Sequence, residues 1–218
     1  MDSADKLYYD ELERIVDSVE AKVASEILRI ALSEESKIGA VILAAAGQVY
    51  SIENAVTNAR KKNPNIQIDS ALAMSVVPAV IQALDLQRKN KSIGSTIAIA
   101  KHAVAQVIAD FDKYYSSHST AGMTSSQRSA SAIASARWLT RNAIFIAQRE
   151  AAKKLGQRKK RWVTMHDNRV RTTHKMLDGT SVSVNDVFRT NQGELRFPGD
   201  TTAPIGEWIN CRCLLKYH

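Results

Sequence analysis

The sequence has little of what builds disulfide scaffolds, collagen or Pro-rich tracts: two cysteines, four prolines and nine glycines in 218 residues. Two cysteines cannot staple a disulfide-dense secreted scaffold, and so little glycine and proline excludes collagen-like and Pro-rich disordered chains. No run reaches the roughly 18 uninterrupted apolar residues of a membrane helix. The stretch from Met1 to Glu13 is charged and acidic, so no signal peptide is expected there. These absences leave an expectation of a soluble protein made in a reducing cytoplasm, with no membrane partner.

What is present suits one or two domains: 44% hydrophobic and 24% charged residues, with a net charge of +8. The charge is uneven. Residues 1–88 carry 9 Lys/Arg against 13 Asp/Glu, and residues 89–218 carry 21 against 9. A basic remainder behind an acidic start fits a polyanion or an acidic protein surface as partner, or a solvated face with surplus lysine.

The first two-thirds read as helix. Leu7, Leu12, Ile15, Val16, Val19, Val23, Ile27 and Ile30 recur mostly three and four apart, the stripe of an amphipathic helix. Further helices are expected over 38–61, over 70–87 with Pro78 as a kink point, and from Gly94 to about Tyr115. Ser116 to Ser126 reads as a small-residue linker. Thr124-Ser-Ser-Gln127 fits a capping box, opening a long helix to Lys154. No solenoid-length repeat is visible.

Composition changes at Gly156, where helices with almost no glycine or proline give way to Gly/Pro-punctuated, short alternating apolar runs. The expected fold class is therefore α+β: a helical region over 1–155, as bundle or docking surface, then a small α+β module over 156–218, with an exposed junction near Gly156–Lys160. Within the module, Asp167 to Leu177 is expected to be a helix capped by Asp167, with Val170, His174 and Leu177 on one face. Gly179 suits the left-handed position after a helix end. Ser181–Val184 alternates like a strand, and Phe197-Pro198-Gly199-Asp200 reads as a turn. A final strand over Ile209–Tyr217 would put Cys211, Cys213, Leu215 and Tyr217 on one side.

Trp162-Val-Thr164, Asp167, Val170-Arg171, His174, Leu177-Asp178-Gly179, Asp186 with Phe188, Phe197–Asp200 and Asn210-Cys-Arg-Cys213 follow one another in that order. Together they resemble the phage head morphogenesis family, the Mu F-like minor head proteins, over about residues 140–218. Gln148-Arg149-Glu150 stands where that family often has Arg-Thr-Glu. The resemblance implies a non-enzymatic structural protein of the virion, a minor capsid component. It would act in head assembly at the portal vertex, be assembled in the host cytoplasm, and have the portal and other head proteins as partners. Some relatives carry a toxin-like extension after this module; with five residues after Cys213, none is expected here.

Two sets of side chains bear chemistry. His174, Cys211 and Cys213, with Asp167, His166 or Asp178 as a fourth ligand, are the candidate metal set, and zinc the one candidate cofactor. The same residues also read as buried small side chains beside a hydrogen-bonded histidine, its partner Asp167 or Asp178, or as a strained disulfide. Asp167, Arg171, His174 and Asp178 read alternatively as an acid–base constellation, the core of a metal-dependent or nucleotide-acting enzyme, although no nucleophile or phosphate loop accompanies them. The second set is the basic run Arg149, Lys153, Lys154, Arg158, Lys159, Lys160 and Arg161. It offers phosphate contacts without base readout, and hence non-specific double-stranded DNA or an acidic surface as partner. The other motif residues, Trp162, Pro198, Gly199, Asp200 and Asn210, read as structural.

Overall fold

The computed structural model describes residues 3–33, 70–88, 95–115 and 124–218. The expected helix over 38–61 and the linker up to residue 123 lie outside the described residues. Among the described residues four long helices come first: α1 (Ser3–Ser33), α2 (Ser70–Arg88), α3 (Thr96–Tyr115) and α4 (Ser125–Lys154). The module follows with β1 (Lys159–Val163), α5 (Thr172–Leu177), β2 (Ser181–Ser183), β3 (Phe188–Arg189), β4 (Glu194–Leu195), α6 (Ile205–Trp208) and β5 (Leu214–Tyr217). A mostly helical region followed by a small α+β module is thus the observed architecture.

The helices form where the apolar spacing places them. Leu12, Ile15, Val16, Val23 and Ile27 bury one stripe of α1. Leu7, expected in that stripe, is 71% exposed; Asp5 and Tyr9 turn inward in its place. Pro78 sits inside α2 without ending it, and both it and Met74 lie on the exposed side. The Met74 carbonyl, which loses its donor at Pro78, can therefore be hydrated. Thr124 caps α4, accepting from the Gln127 backbone while the Gln127 side chain accepts from the Thr124 backbone. Helices α1 and α3 each pack against both α2 and α4, which also pack against each other. Many core residues here are alanines, such as Ala83, Ala100, Ala103 and Ala147, whose small side chains let helix backbones approach closely.

The module is built on an antiparallel sheet of order β2-β1-β5, with a β3–β4 hairpin beside it. In register, Trp162 lies opposite Leu215 and Val163 opposite Leu214. Cross-strand partners share a face, so the sheet has two apolar sides. Val163 and Leu214 join the helical core, whereas Trp162 and Leu215 pack with Leu177, Phe188, Leu195 and Phe197 in a second core. Helix α4 serves both: Ile144 and Ala147 face the helices, and Phe145 stacks on Phe197 at 6.0 Å between ring centroids. Polar ties run the same way. Arg141 binds the Glu13 carboxylate of α1 and donates to the Cys213 carbonyl at 2.9 Å. Asp5 of α1 pairs with Arg161 of β1 and Lys216 of β5.

The stretch after Gly156 is exposed at Gly156, Arg158 and Lys159, as expected, but its backbone is tied into the sheet and Lys160 departs from the expectation. Arg158 and Lys159 present their side chains to solvent, but their backbone amides donate to the His218 carbonyl, and Lys160 is buried in the central strand. The expected helix over 167–177 is also shorter, starting at Thr172. His166 adopts the left-handed region, φ 55°, and Asp167 accepts from the Arg169 amide in a local turn rather than capping α5. The capping position falls to Arg171, which makes no side-chain cap bond.

Candidate functional site

Three short segments meet on the module side of the sheet. Helix α5 carries His174, whose side chain is 1% exposed and stands edge-on to Trp162 at 5.1 Å. Helix α6 ends at Trp208, and Asn210 then takes φ 52°. An asparagine tolerates that left-handed backbone better than most residues. The turn it makes, held by a Cys211 amide to Trp208 carbonyl bond of 3.1 Å, sends the chain into an extended run. Alternation in that run does the rest. Cys211 and Cys213 face His174, while Arg212 between them points away and binds both Asp167 oxygens at 2.7 Å. Strand β5 itself begins only at Leu214, yet the expected alternation of side chains holds.

The result is a buried three-residue node. Cys211 Sγ lies 3.5 Å and Cys213 Sγ 3.6 Å from the same atom, His174 Nδ1. All three ligand atoms lie within 4.8 Å of one another. Both cysteines are free, which removes the disulfide alternative. A hydrogen bond from Cys213 holds the Cys211 thiol well below its usual range. The same bond, with burial, pushes Cys213 up.

The sequence placed Asp167 or Asp178 opposite the buried imidazole, and neither is there. Asp178 accepts from the Thr164 amide at 2.7 Å and its hydroxyl at 2.9 Å, and pairs with His166 at 2.7 Å. Burial pushes its carboxyl up, but these Thr164 and His166 contacts outweigh that and leave it below the usual carboxylate range. Asp167 is held low by its hydrogen bond from Arg212. It is not part of the node. The carboxylate that faces His174 is Glu207, fully buried on α6, with Oε2 3.2 Å from Nε2. The contact is off the line of a hydrogen bond, and His174 Nε2 and both Glu207 oxygens have no hydrogen-bond partner among the described residues. Sequence reasoning missed Glu207 because α6 has four residues, too few for a periodic pattern.

The motif residues around the node hold its segments. The Arg171 guanidinium donates to the Ile209 carbonyl, tying α5 to the end of α6. Gly179, at φ 74°, turns the chain after α5, and its amide donates to the Trp162 carbonyl. Asp200, wholly buried, accepts from the Arg196 amide and guanidinium and from the Thr202 amide and hydroxyl. Gly199 accepts a bond from Trp138 Nε1 at 3.2 Å, and a Cβ there would sit 3.3 Å from Asn142 Nδ2. Between Pro198–Gly199 and Asn210–Arg212 lies a groove of about 190 Å³, lined by Trp138, Arg141 and Trp208 and bordered by half-buried Cys211.

The basic run does not form one surface. Lys160 Nζ is buried, donates to the Arg196 carbonyl at 2.7 Å and lies 5.3 Å from the Phe188 ring centroid. Burial pushes its ammonium down to about 8. Arg161 is held by Asp5, Lys153 by Glu150, and Arg149 donates to Asn185. Lys153, Lys154, Arg158 and Lys159 are exposed, and of these Lys153 is engaged by Glu150.

No helix among the described residues is long and apolar enough to cross a membrane. Comparison with curated proteins and with solved structures gave no significant match. A family profile matches residues 80–216, beginning inside α2, well upstream of the stretch that carries the motifs, and running through both cores to the last strand. It is the profile of the Phage Mu protein F like proteins, and over that span the chain belongs to this family, linked to phage head morphogenesis.

Proposed function

We propose that the chain is a minor head protein of a tailed phage, acting without catalysis in head assembly at the portal vertex. Membership of the Mu F-like family over residues 80–216 is the observation that carries this reading. In it, the portal and other head proteins are the partners, assembly takes place in the host cytoplasm, and the protein stays in the virion. The setting of His174 supports a structural role over an enzymatic one. Its ring is buried between Trp162, two sulfurs and Glu207, leaving little room for a substrate.

Non-specific contact with packaged double-stranded DNA is the finer part of the proposal. Lys154, Arg158 and Lys159 are its carriers, since Lys160 and Arg161 are engaged within the fold. The test is made in the phage or prophage whose genome encodes the chain. Mass spectrometry of purified particles should find it, and a nonsense allele should give defective heads. Normal, infectious heads without it would overturn the proposal. For DNA, affinity should fall steeply with salt through counterion release. It should fall again in a Lys154→Gln, Arg158→Gln, Lys159→Gln triple variant; no binding at low salt would remove that part.

A further inference from the structure

We propose that His174, Cys211 and Cys213 bind one zinc ion through Nδ1 and the two sulfurs, with Glu207 as a positioning residue behind the histidine. The inference is independent of the role in head assembly.

Distances come first. Zinc–sulfur bonds of about 2.3 Å and zinc–nitrogen bonds of about 2.0 Å, at a tetrahedral angle, put a ligand sulfur and a ligand nitrogen about 3.5 Å apart. The two sulfur-to-Nδ1 separations are 3.5 and 3.6 Å. Both sulfurs approach one ring nitrogen, which has a single lone pair or a single proton to offer and cannot make two in-line hydrogen bonds. A cation between the three atoms uses that lone pair and both sulfurs at once.

The other side of the ring is the second observation. Glu207 is a fully buried carboxylate with neither oxygen hydrogen-bonded among the described residues, placed 3.2 Å from Nε2. A buried carboxylate in that condition is costly. Metal-bound histidines commonly give their other ring N–H to a carboxylate, which fixes tautomer and ring orientation. Coordination at Nδ1 leaves the proton on Nε2, facing Glu207. The cation also offsets the thiolate charge in a site otherwise walled by Trp162. Two thiolates and an imidazole select a soft or borderline ion such as zinc over magnesium or calcium. Half-buried Cys211 borders the groove, which gives an ion a way in, and water would complete the tetrahedron. The ion would lock α5, α6 and the start of β5 together in a region whose elements are only two to six residues long.

The experiment uses the full chain, stripped with chelator and reloaded with zinc or cobalt(II). The expected result is one zinc per chain by elemental analysis, a thiolate-to-cobalt charge-transfer band, and a rise in the thermal midpoint on adding zinc. Cys211→Ser, at the half-buried ligand, should lose the charge-transfer intensity and the zinc-dependent rise. Glu207→Gln should keep the stoichiometry at saturation but weaken binding about 10–100-fold. A folded parent chain with no stoichiometric zinc and no such band would overturn the proposal, as would a Cys211→Ser chain that binds as the parent does.

Discussion

The helical region and the C-terminal module hold themselves together by different means. The helices carry their own backbone hydrogen bonds and need only an apolar stripe to meet one another. Their core is accordingly rich in alanine and valine, and their charged contacts, such as Arg137 with Glu13, Asp17 and Glu20, lie toward the edge. The module has strands of two to five residues and helices of four and six. Such elements cannot satisfy their own backbone, so side chains do it: Asp178 for Thr164, Asp200 for Arg196 and Thr202, Arg171 for Ile209, Arg141 for Cys213. Large aromatics supply its burial. The difference teaches where each region is vulnerable: the helices to loss of packing over many residues, the module to loss of single anchors.

The largest loss from a single anchor is expected for Trp162→Ala. Trp162 is fully buried against His174 and Phe188, and its truncation should cost about 3–5 kcal/mol. Chemical denaturation should show this as a lower midpoint with an unchanged slope.

Arg141→Ala comes next. It leaves the Glu13 carboxylate with Arg137 alone and the Cys213 carbonyl without its donor, a loss of about 1–3 kcal/mol. Because the arginine joins α1 to the node, the loss should be shared by helix and module signals.

Asp200 gives a test in acid. Burial pushes its carboxyl up, but the Arg196 bonds and the Arg196 and Thr202 amides outweigh that and hold it below the usual range. A folded value below the unfolded value of about 3.9 contributes stability above roughly pH 4, lost as pH falls through the folded value. Asp200→Asn should lower stability at neutral pH and flatten the acid limb of a stability–pH curve.

Lys160 gives the opposite limb. Its ammonium, pushed down to about 8 by burial, is lowered relative to the unfolded chain. Between about pH 8 and 10.5 the unfolded chain binds more protons, so stability from this group rises with pH. Lys160→Met should remove that rise.

The smallest effect belongs to the helices. Thr124→Ala removes one half of the α4 capping box and should cost about 0.5–2 kcal/mol, seen as a modest drop in thermal midpoint.

These contrasts also explain what was legible beforehand. The Ser125–Lys154 helix and its cap could be read from sequence because thirty residues give many turns of periodicity. The meeting of His174 with Cys211 and Cys213 was legible because alternation at Asn210–Cys213 puts both sulfurs on one side. Leu7 lies outside the buried stripe, and the ion pairs of the inward-facing Asp5 involve residues 161 and 216, too far along the chain for local periodicity to register. Glu207 was invisible for a related reason. Only the fold brings a one-turn helix against His174, and no local pattern marks its glutamate. The basic run shows the limit of reading charge alone, since Lys160 turned out to be an interior residue.

Both regions share α4 and the sheet and should therefore stand or fall as one. Equilibrium unfolding can be followed on one sample by far-ultraviolet circular dichroism, which reports the long helices. Fluorescence of Trp138, Trp162 and Trp208, all in or beside the module, reports the other side. Coincident transitions with one midpoint are the predicted result. Two separated transitions, with the tryptophan signal lost while the helices persist, would contradict it.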